Sequence, residues 1–339
     1  MIRSVNNLSV LFLLSLIRSS FKFSRSLKIL AQLRKKHALA VATVPVMLLI
    51  IYYIFNGLHD DKKMLFNQVT QHENMKKGNP TFNLERNLLL VSYNLWCTLW
   101  HSHGVEERIE SLVEGIKDFD IALIQEAYIW NFGVAVLKKC ASLLVVEMEK
   151  HGFHFRTSIL DFVPPFGQSG GVVIFSRIPL VRTISKQYNS SIFQYLVYRG
   201  FVVGEFFINS KPLYVINTHL NPTGVDSRVQ QAKELARAMK DFNLNSHFVV
   251  AGDFNIDNNY PTTSNSSTEF RKLLETMSET GLHSVFPVRI ETNIDGGNYD
   301  AMFISSNVAV VRKEIIKLVT KKNRFVSDHF GLAVELKLL

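Results

Sequence analysis

The stretch Ala251-Gly252-Asp253-Phe254-Asn255-Ile256 continues the apolar run His247-Phe248-Val249-Val250. It reads as a buried strand that opens into a loop. Strand side chains repeat every second residue, so Asp253 and Asn255 are expected to face the same way. Gly252 is expected to let the backbone pass close to a ligand. A carboxylate beside a carboxamide at a strand end suits a hard cation, a water and a phosphate oxygen. Taken alone, Gly, Asp and Asn are also ordinary turn formers. The other strand ends decide between the two.

Working outward, apolar runs and helical patterns alternate through residues 86–339, as they would in one α/β domain. Strands are predicted at Leu88–Tyr93, Ile121–Ile124, Gly171–Phe175, Phe201–Phe207, Leu213–Asn217, His247–Ala251, Met302–Ile304 and Leu332–Leu336. Helices are predicted at Val105–Asp118, Asn131–Lys150, Asp226–Asp241 and Glu269–Thr280. Several strands end in residues that bind metals or move protons. Val91-Ser92-Tyr93-Asn94 ends in Asn, Leu123-Ile124-Gln125-Glu126 in Glu, and Val215-Ile216-Asn217-Thr218-His219 in His. Ser327-Asp328-His329 precedes the last strand. One such ending is what any loop shows; their recurrence points to a site at one sheet edge.

Charge is unevenly placed. The net charge is +9, and residues 1–58 carry Arg3, Arg18, Lys22, Arg25, Lys28, Arg34, Lys35 and Lys36 with no Asp or Glu. The rest is one charge from neutral, which weakens the case for a nucleic-acid partner. Residues 1–37 form a basic arm in which Leu8–Ile17 is too short to span a bilayer and reads as amphipathic or re-entrant. Ala38–Leu58 has no charged residue. As a helix it would measure about 31 Å against roughly 30 Å of hydrocarbon, so a transmembrane helix is predicted over 38–58. Arg34-Lys35-Lys36 before it keeps the N-terminus cytoplasmic and places the body on the lumenal or extracellular side. The sequons Asn189-Ser190-Ser191 and Asn265-Ser266-Ser267 are compatible with that side. Residues 59–85 read as a polar linker. Cys97 and Cys140 are too few for a disulfide framework and leave the redox compartment open.

The order Asn94, Gln125-Glu126, Asn217-Thr218-His219-Leu220, Gly252-Asp253-Phe254-Asn255 and Ser327-Asp328-His329 resembles the endonuclease/exonuclease/phosphatase superfamily. Ser169-Gly170-Gly171-Val172-Val173-Ile174-Phe175-Ser176, Tyr198-Arg199-Gly200-Phe201 and Asp226-Ser227-Arg228 resemble its neutral sphingomyelinase branch. The resemblance implies a two-sheet, four-layer α/β sandwich of the deoxyribonuclease-I-like type and phosphodiester hydrolysis with Mg²⁺, Mn²⁺ being an alternative. It implies that Glu126, with Asp328 and Asn94, holds the metal. Asp253 and Asn255 would then position the water and a phosphate oxygen, His219 would donate to the phosphoryl group, and His329, oriented by Asp300, would transfer a proton. The expected substrate is a phospholipid, sphingomyelin above all, met at a lipid bilayer. A nuclease of the same fold and a catalytically silent membrane adaptor are the rivals. Asn221-Pro222, where sphingomyelinases usually have Gln-Ala, departs from the branch pattern.

Overall fold

The computed structural model describes residues 81–98, 103–132, 136–137, 139–158, 166–189, 198–243, 245–257 and 266–339. The expectations for the basic arm 1–37, the transmembrane helix 38–58 and residues 59–80 of the linker lie outside the described residues. No helix among the described residues is long and apolar enough to cross a membrane.

The long apolar runs build the middles of two six-stranded sheets. The first has β1 (Leu88–Asn94) beside β2 (Ile121–Gln125), followed by β7 (Val173–Ser176) and β5 (Phe155–Arg156). On the other side of β1 lie β15 (Gly331–Leu338) and β14 (Val308–Ile316). The second has β10 (Lys211–His219) beside β11 (His247–Asp253), with β9 (Gly200–Ile208) and β8 (Arg182–Gln187) outside β10. Outside β11 lie β13 (Asp300–Ser305) and β12 (Leu282–Ser284). A three-stranded ribbon joins β3 (Trp130–Phe132), β4 (Val136–Leu137) and β6 (Phe166–Gln168).

Alternation along each strand sorts the apolar side chains. Leu90, Leu123 and Ile174 of the first sheet meet Val215, Val249 and Met302 of the second in a shared core. Their neighbours Val91, Ala122 and Val173 point outward, beneath α1 (Val105–Ile116) and α2 (Lys139–Lys150). On the far side, Ile216, Val250 and Phe303 lie beneath α3 (Val225–Met239) and α4 (Ser266–Ser278). The order is helix, sheet, sheet, helix, as the resemblance implies. In α1, Ile109, Leu112, Val113 and Ile116 recur at helical spacing and are all buried. Truncating any one large aliphatic in the shared core, Leu90→Ala for instance, costs about 2–5 kcal/mol.

The same alternation makes the site. The parity that points Leu90, Leu123, Val215, Val249 and Met302 between the sheets also points Asn94, Gln125, His219, Asp253 and Asp300 there. The pairs β1–β2 and β10–β11 are parallel, so their C-terminal ends share an edge. The antiparallel β13 and β9 begin at that same edge. The apolar core therefore turns polar along one border of the sandwich.

Two sequence expectations fail here. Within the helix predicted over 131–150, Asn131 and Phe132 belong to β3 and Val136 and Leu137 to β4, and the helix starts at Lys139. Trp130, Asn131, Phe132 and Gly133 favour extended or broken chain over helix. The strands β5, β6, β8, β12 and β14 lie outside the predicted ones. Strands β8 and β14 are outer strands with polar, half-exposed sequences such as Arg182-Thr183-Ile184-Ser185-Lys186-Gln187, which carry little apolar periodicity.

Candidate active site

Three strand partners set the centre. His219, Asp253 and Asp300 stand side by side on β10, β11 and β13. Across the gap between the sheets, Asn94 at the end of β1 donates from Nδ2 to Asp253 Oδ2 at 2.9 Å. Glu126 follows β2 with a left-handed φ of 62°, which turns its side chain from the strand into the gap. His219 Nε2 lies 3.4 Å from Asp253 Oδ2 and 4.0 Å from Glu126 Oε1. His329 Nδ1 lies 2.7 Å from Asp300 Oδ2, and its Nε2 lies 3.8 Å from Asp253 Oδ2. The structure brings Asn94, Glu126, His219, Asp253, Asp300 and His329 together.

Asn255 and Asp328 sit differently from the first expectation. The strand ends at Asp253 and Asn255 has φ 53°, so alternation no longer governs it. Its backbone N–H donates to Asp253 Oδ1 at 2.8 Å, and its side-chain amide donates to Leu220 O at 3.1 Å. Asn255 thus holds Asp253 and the His219 strand end in place. Asp328 takes the Ser327 hydroxyl at 3.2 Å. The metal-competent clusters gather Glu126 with His219 and Asp253, and Asp253 with Asp300 and His329; Asp328 is in neither. Gly252 also has another reason than ligand approach. A Cβ there would lie 1.9 Å from Thr218 O, so glycine is what lets β11 close on β10.

Burial sets the electrostatics. It pushes Asp253 up to about 7, with Asp300 and Glu126 adding to the rise against the opposing pull of His329. It raises Glu126 and Asp328 as well. It holds His219 well below its usual range, helped by Arg199 and His329. Burial opposes the charge of His329 too, but Asp300 and Asp253 outweigh it and push the imidazole up to about 10. The Oε2 of Glu126 is buried without a hydrogen-bond partner. An orphaned carboxylate oxygen among carboxylates and imidazoles is the donor set of a hard divalent cation, so the residues fit one.

Several supports were not visible beforehand. Gln125 Nε2 donates to Asn217 Oδ1 at 2.7 Å, and Asn217 Nδ2 donates to the Ile124 and Val173 carbonyls, so one polar bridge joins the sheets beneath the site. Arg108 of α1 donates to Val326 O at 2.6 Å, Trp96 O at 3.0 Å and Leu95 O. That guanidinium clamps the chain just after Asn94 to the chain just before Asp328 and His329. Cys97 and Cys140 form a disulfide with Cα atoms 6.4 Å apart, tying the same loop to the first turn of α2. Arg199 and Tyr128 lie against His219. In the sequence, Arg199 stands out only through the Tyr198-Arg199-Gly200-Phe201 segment that opens β9.

A model described as the endonuclease/exonuclease/phosphatase family matches residues 91–329. Beta toxin from Staphylococcus aureus, in a structure with bound magnesium ions, is 19% identical at a TM-score of 0.56, covering 74% of this chain and 100% of that one. Sphingomyelinase C from Streptomyces griseocarneus is 15% identical at a TM-score of 0.55, covering 74% and 99%. An endonuclease/exonuclease/phosphatase from Beutenbergia cavernae is 19% identical at a TM-score of 0.59, covering 75% and 72%. At such identities these likenesses establish the fold. No curated protein matches the chain in sequence.

Proposed function

The chain belongs to the endonuclease/exonuclease/phosphatase family and is a phosphodiester hydrolase, and from that premise we propose that it is a membrane-anchored sphingomyelinase-like enzyme releasing phosphocholine from sphingomyelin. The observation that carries the hydrolytic reading is the pairing of two differently tuned groups around one gap. Asp253 sits near neutrality and His329 is held charged by Asp300 2.7 Å away. Groups whose environments drive their proton affinities apart divide base from acid work.

In this reading Asp253 orients a water and takes its proton as the water oxygen bonds to phosphorus. The bond from phosphorus to the ceramide oxygen breaks in line, and His329 gives that oxygen a proton. Asn94 and Asn255 keep Asp253 aimed, and His219 donates from Nε2 to a phosphoryl oxygen. Mg²⁺ or Mn²⁺, when bound, supplies positive charge against the phosphate oxygens; Glu126, whose Oε2 has no hydrogen-bond partner, would hold it.

Three features support the lipid substrate. The chain carries segments similar to neutral sphingomyelinases, the body is near neutral, and the uncharged stretch 38–58 would keep the enzyme at a bilayer, raising its effective concentration there. The disulfide supports a lumenal or extracellular body, because such bonds persist in oxidising compartments. The test offers the full chain sphingomyelin vesicles, plasmid DNA and phosphoinositides with Mg²⁺. Phosphocholine release that disappears in Asp253→Ala supports the proposal. Cleaved DNA with intact sphingomyelin replaces it with a nuclease, and no turnover of any substrate leaves the adaptor reading.

A further inference from the structure

One charged residue interrupts the apolar stripe of α1. Val105, Arg108, Ile109, Leu112, Val113 and Ile116 recur at helical spacing, and Arg108 is only 5% exposed among them. A buried charge at a core position of a helix contradicts the local pattern, and such contradictions gather at functional sites. Its donors explain the placement. Nε donates to Val326 O at 2.6 Å, and Nη2 donates to Trp96 O at 3.0 Å and to Leu95 O. The β1–β15 ladder ends at the pair Ser92–Leu332, so the two segments beyond it have left that pairing. The guanidinium joins them where the sheet no longer does.

Trp96 is the point on which this brace acts. It has φ 52°, a left-handed conformation that a bulky residue adopts only where its surroundings impose it. The Arg108 guanidinium lies 5.2 Å from the centroid of its ring as well as on its carbonyl. In that conformation the Trp96 N–H turns back onto Asn94 Oδ1 at 2.9 Å, as in an Asx turn. The Asn94 amide can then point only one way. With its oxygen on the Trp96 N–H, its Nδ2 faces Asp253 Oδ2 at 2.9 Å. The opposite orientation would set two N–H donors against each other and a carbonyl against a carboxylate.

We infer that Arg108 is a positioning residue: by holding Trp96 left-handed it aims Asn94, and through Asn94 it aims Asp253. The inference rests on the proposed phosphodiesterase reading for its effect on turnover, and on the geometry alone for its effect on Asn94. Arg108 touches neither the water nor the substrate in this scheme. Lysine cannot replace it, because an ammonium concentrates its donors at one point and does not span carbonyls on two chain segments. A shift of about 1 Å in an aimed group costs on the order of a hundredfold in rate.

The experiment uses the full chain as wild type, Arg108→Lys, Asn94→Ala and the double variant, each checked by thermal melting. Turnover is read as kcat and KM with Mg²⁺ on a soluble chromogenic phosphodiester. Arg108→Lys should lower kcat by roughly ten- to a hundredfold when Asn94 is present, with little change in KM. In the Asn94→Ala background the same substitution should change kcat by less than about threefold, because the group it aims is gone. Equal falls in both backgrounds overturn the inference, since Arg108 would then only stabilise the fold. The Asn94 side-chain amide, identified in NMR spectra by its loss in Asn94→Ala, gives a reading without turnover. Its protons should exchange with solvent about tenfold faster in Arg108→Lys, and unchanged exchange overturns the inference equally. If Arg108→Lys does not fold, Trp96→Gly takes its place in the same cycle. It keeps the N–H but removes the ring and frees φ, so its effect must show the same dependence on Asn94. A wild type that hydrolyses no diester, with Asn94 amide protons that Arg108→Lys releases, defeats the proposed function and leaves this inference standing.

Discussion

Replacing Asp253 with Asn tests the site without any substrate. Asp253 is 1% exposed, and burial pushes it up to about 7 from an ordinary value of 3.8. Over that window the folded protein keeps a proton on this group that the unfolded chain has already released. Fewer protons bound in the unfolded state means stability falls as pH rises from about 4 to about 7. Three units correspond to ~4 kcal/mol as an upper limit. The Asn side chain keeps the shape and an acceptor for the Asn255 N–H, which lies 2.8 Å from Oδ1, and carries no charge, but its NH2 cannot accept from Asn94 Nδ2, a loss that is the same at every pH. In metal-free protein, the stability of Asp253→Asn relative to wild type should therefore rise by ~2–4 kcal/mol between pH 4 and pH 8. Urea unfolding with chelator present, followed by circular dichroism at both pH values, measures the difference. Activity with Mg²⁺ should meanwhile fall by about 10²–10⁴-fold. A stability difference that is the same at pH 4 and pH 8 would refute the claim that the native state carries this carboxylate under strain.

Asp300→Asn removes the carboxylate 2.7 Å from His329. The His329 imidazole, pushed up to about 10, should then titrate several units lower, which NMR of the ring resonances reads directly. A raised histidine stabilises the fold fully below its unfolded value and loses that contribution as pH climbs through the folded one. The stability gap between wild type and Asp300→Asn should accordingly close between pH 6.5 and 10; a constant gap contradicts it. Reducing the Cys97–Cys140 bond, which closes a separation of 43 residues, should cost ~4 kcal/mol by the chain-entropy model and lower the melting temperature. An unchanged melting temperature in dithiothreitol would mean that the bond contributes nothing to stability.

The residues proposed to do the chemistry were legible in the sequence because strand ends are local. Asn94, Glu126, His219, Asp253 and His329 each terminate or precede an apolar run, and period-two alternation is enough to aim most of them. Alternation stopped being informative where the backbone left the strand, which is why Asn255 turned to Leu220 instead of lying beside Asp253.

What the sequence determined was the α/β class, the buried middle strands, and the kinds of side chain at one edge. Apolar periodicity is written in neighbouring residues, so it can be read without the fold. Only tertiary packing decided which ends meet. The Arg108 clamp spans 218 residues to Val326, the Gln125–Asn217 bridge spans 92, and Cys97 finds Cys140 across 43. Those pairings depend on sheet order and register. Arg199 is the sharpest case: in sequence it belongs to the segment Tyr198-Arg199-Gly200-Phe201, and only packing buries it against His219.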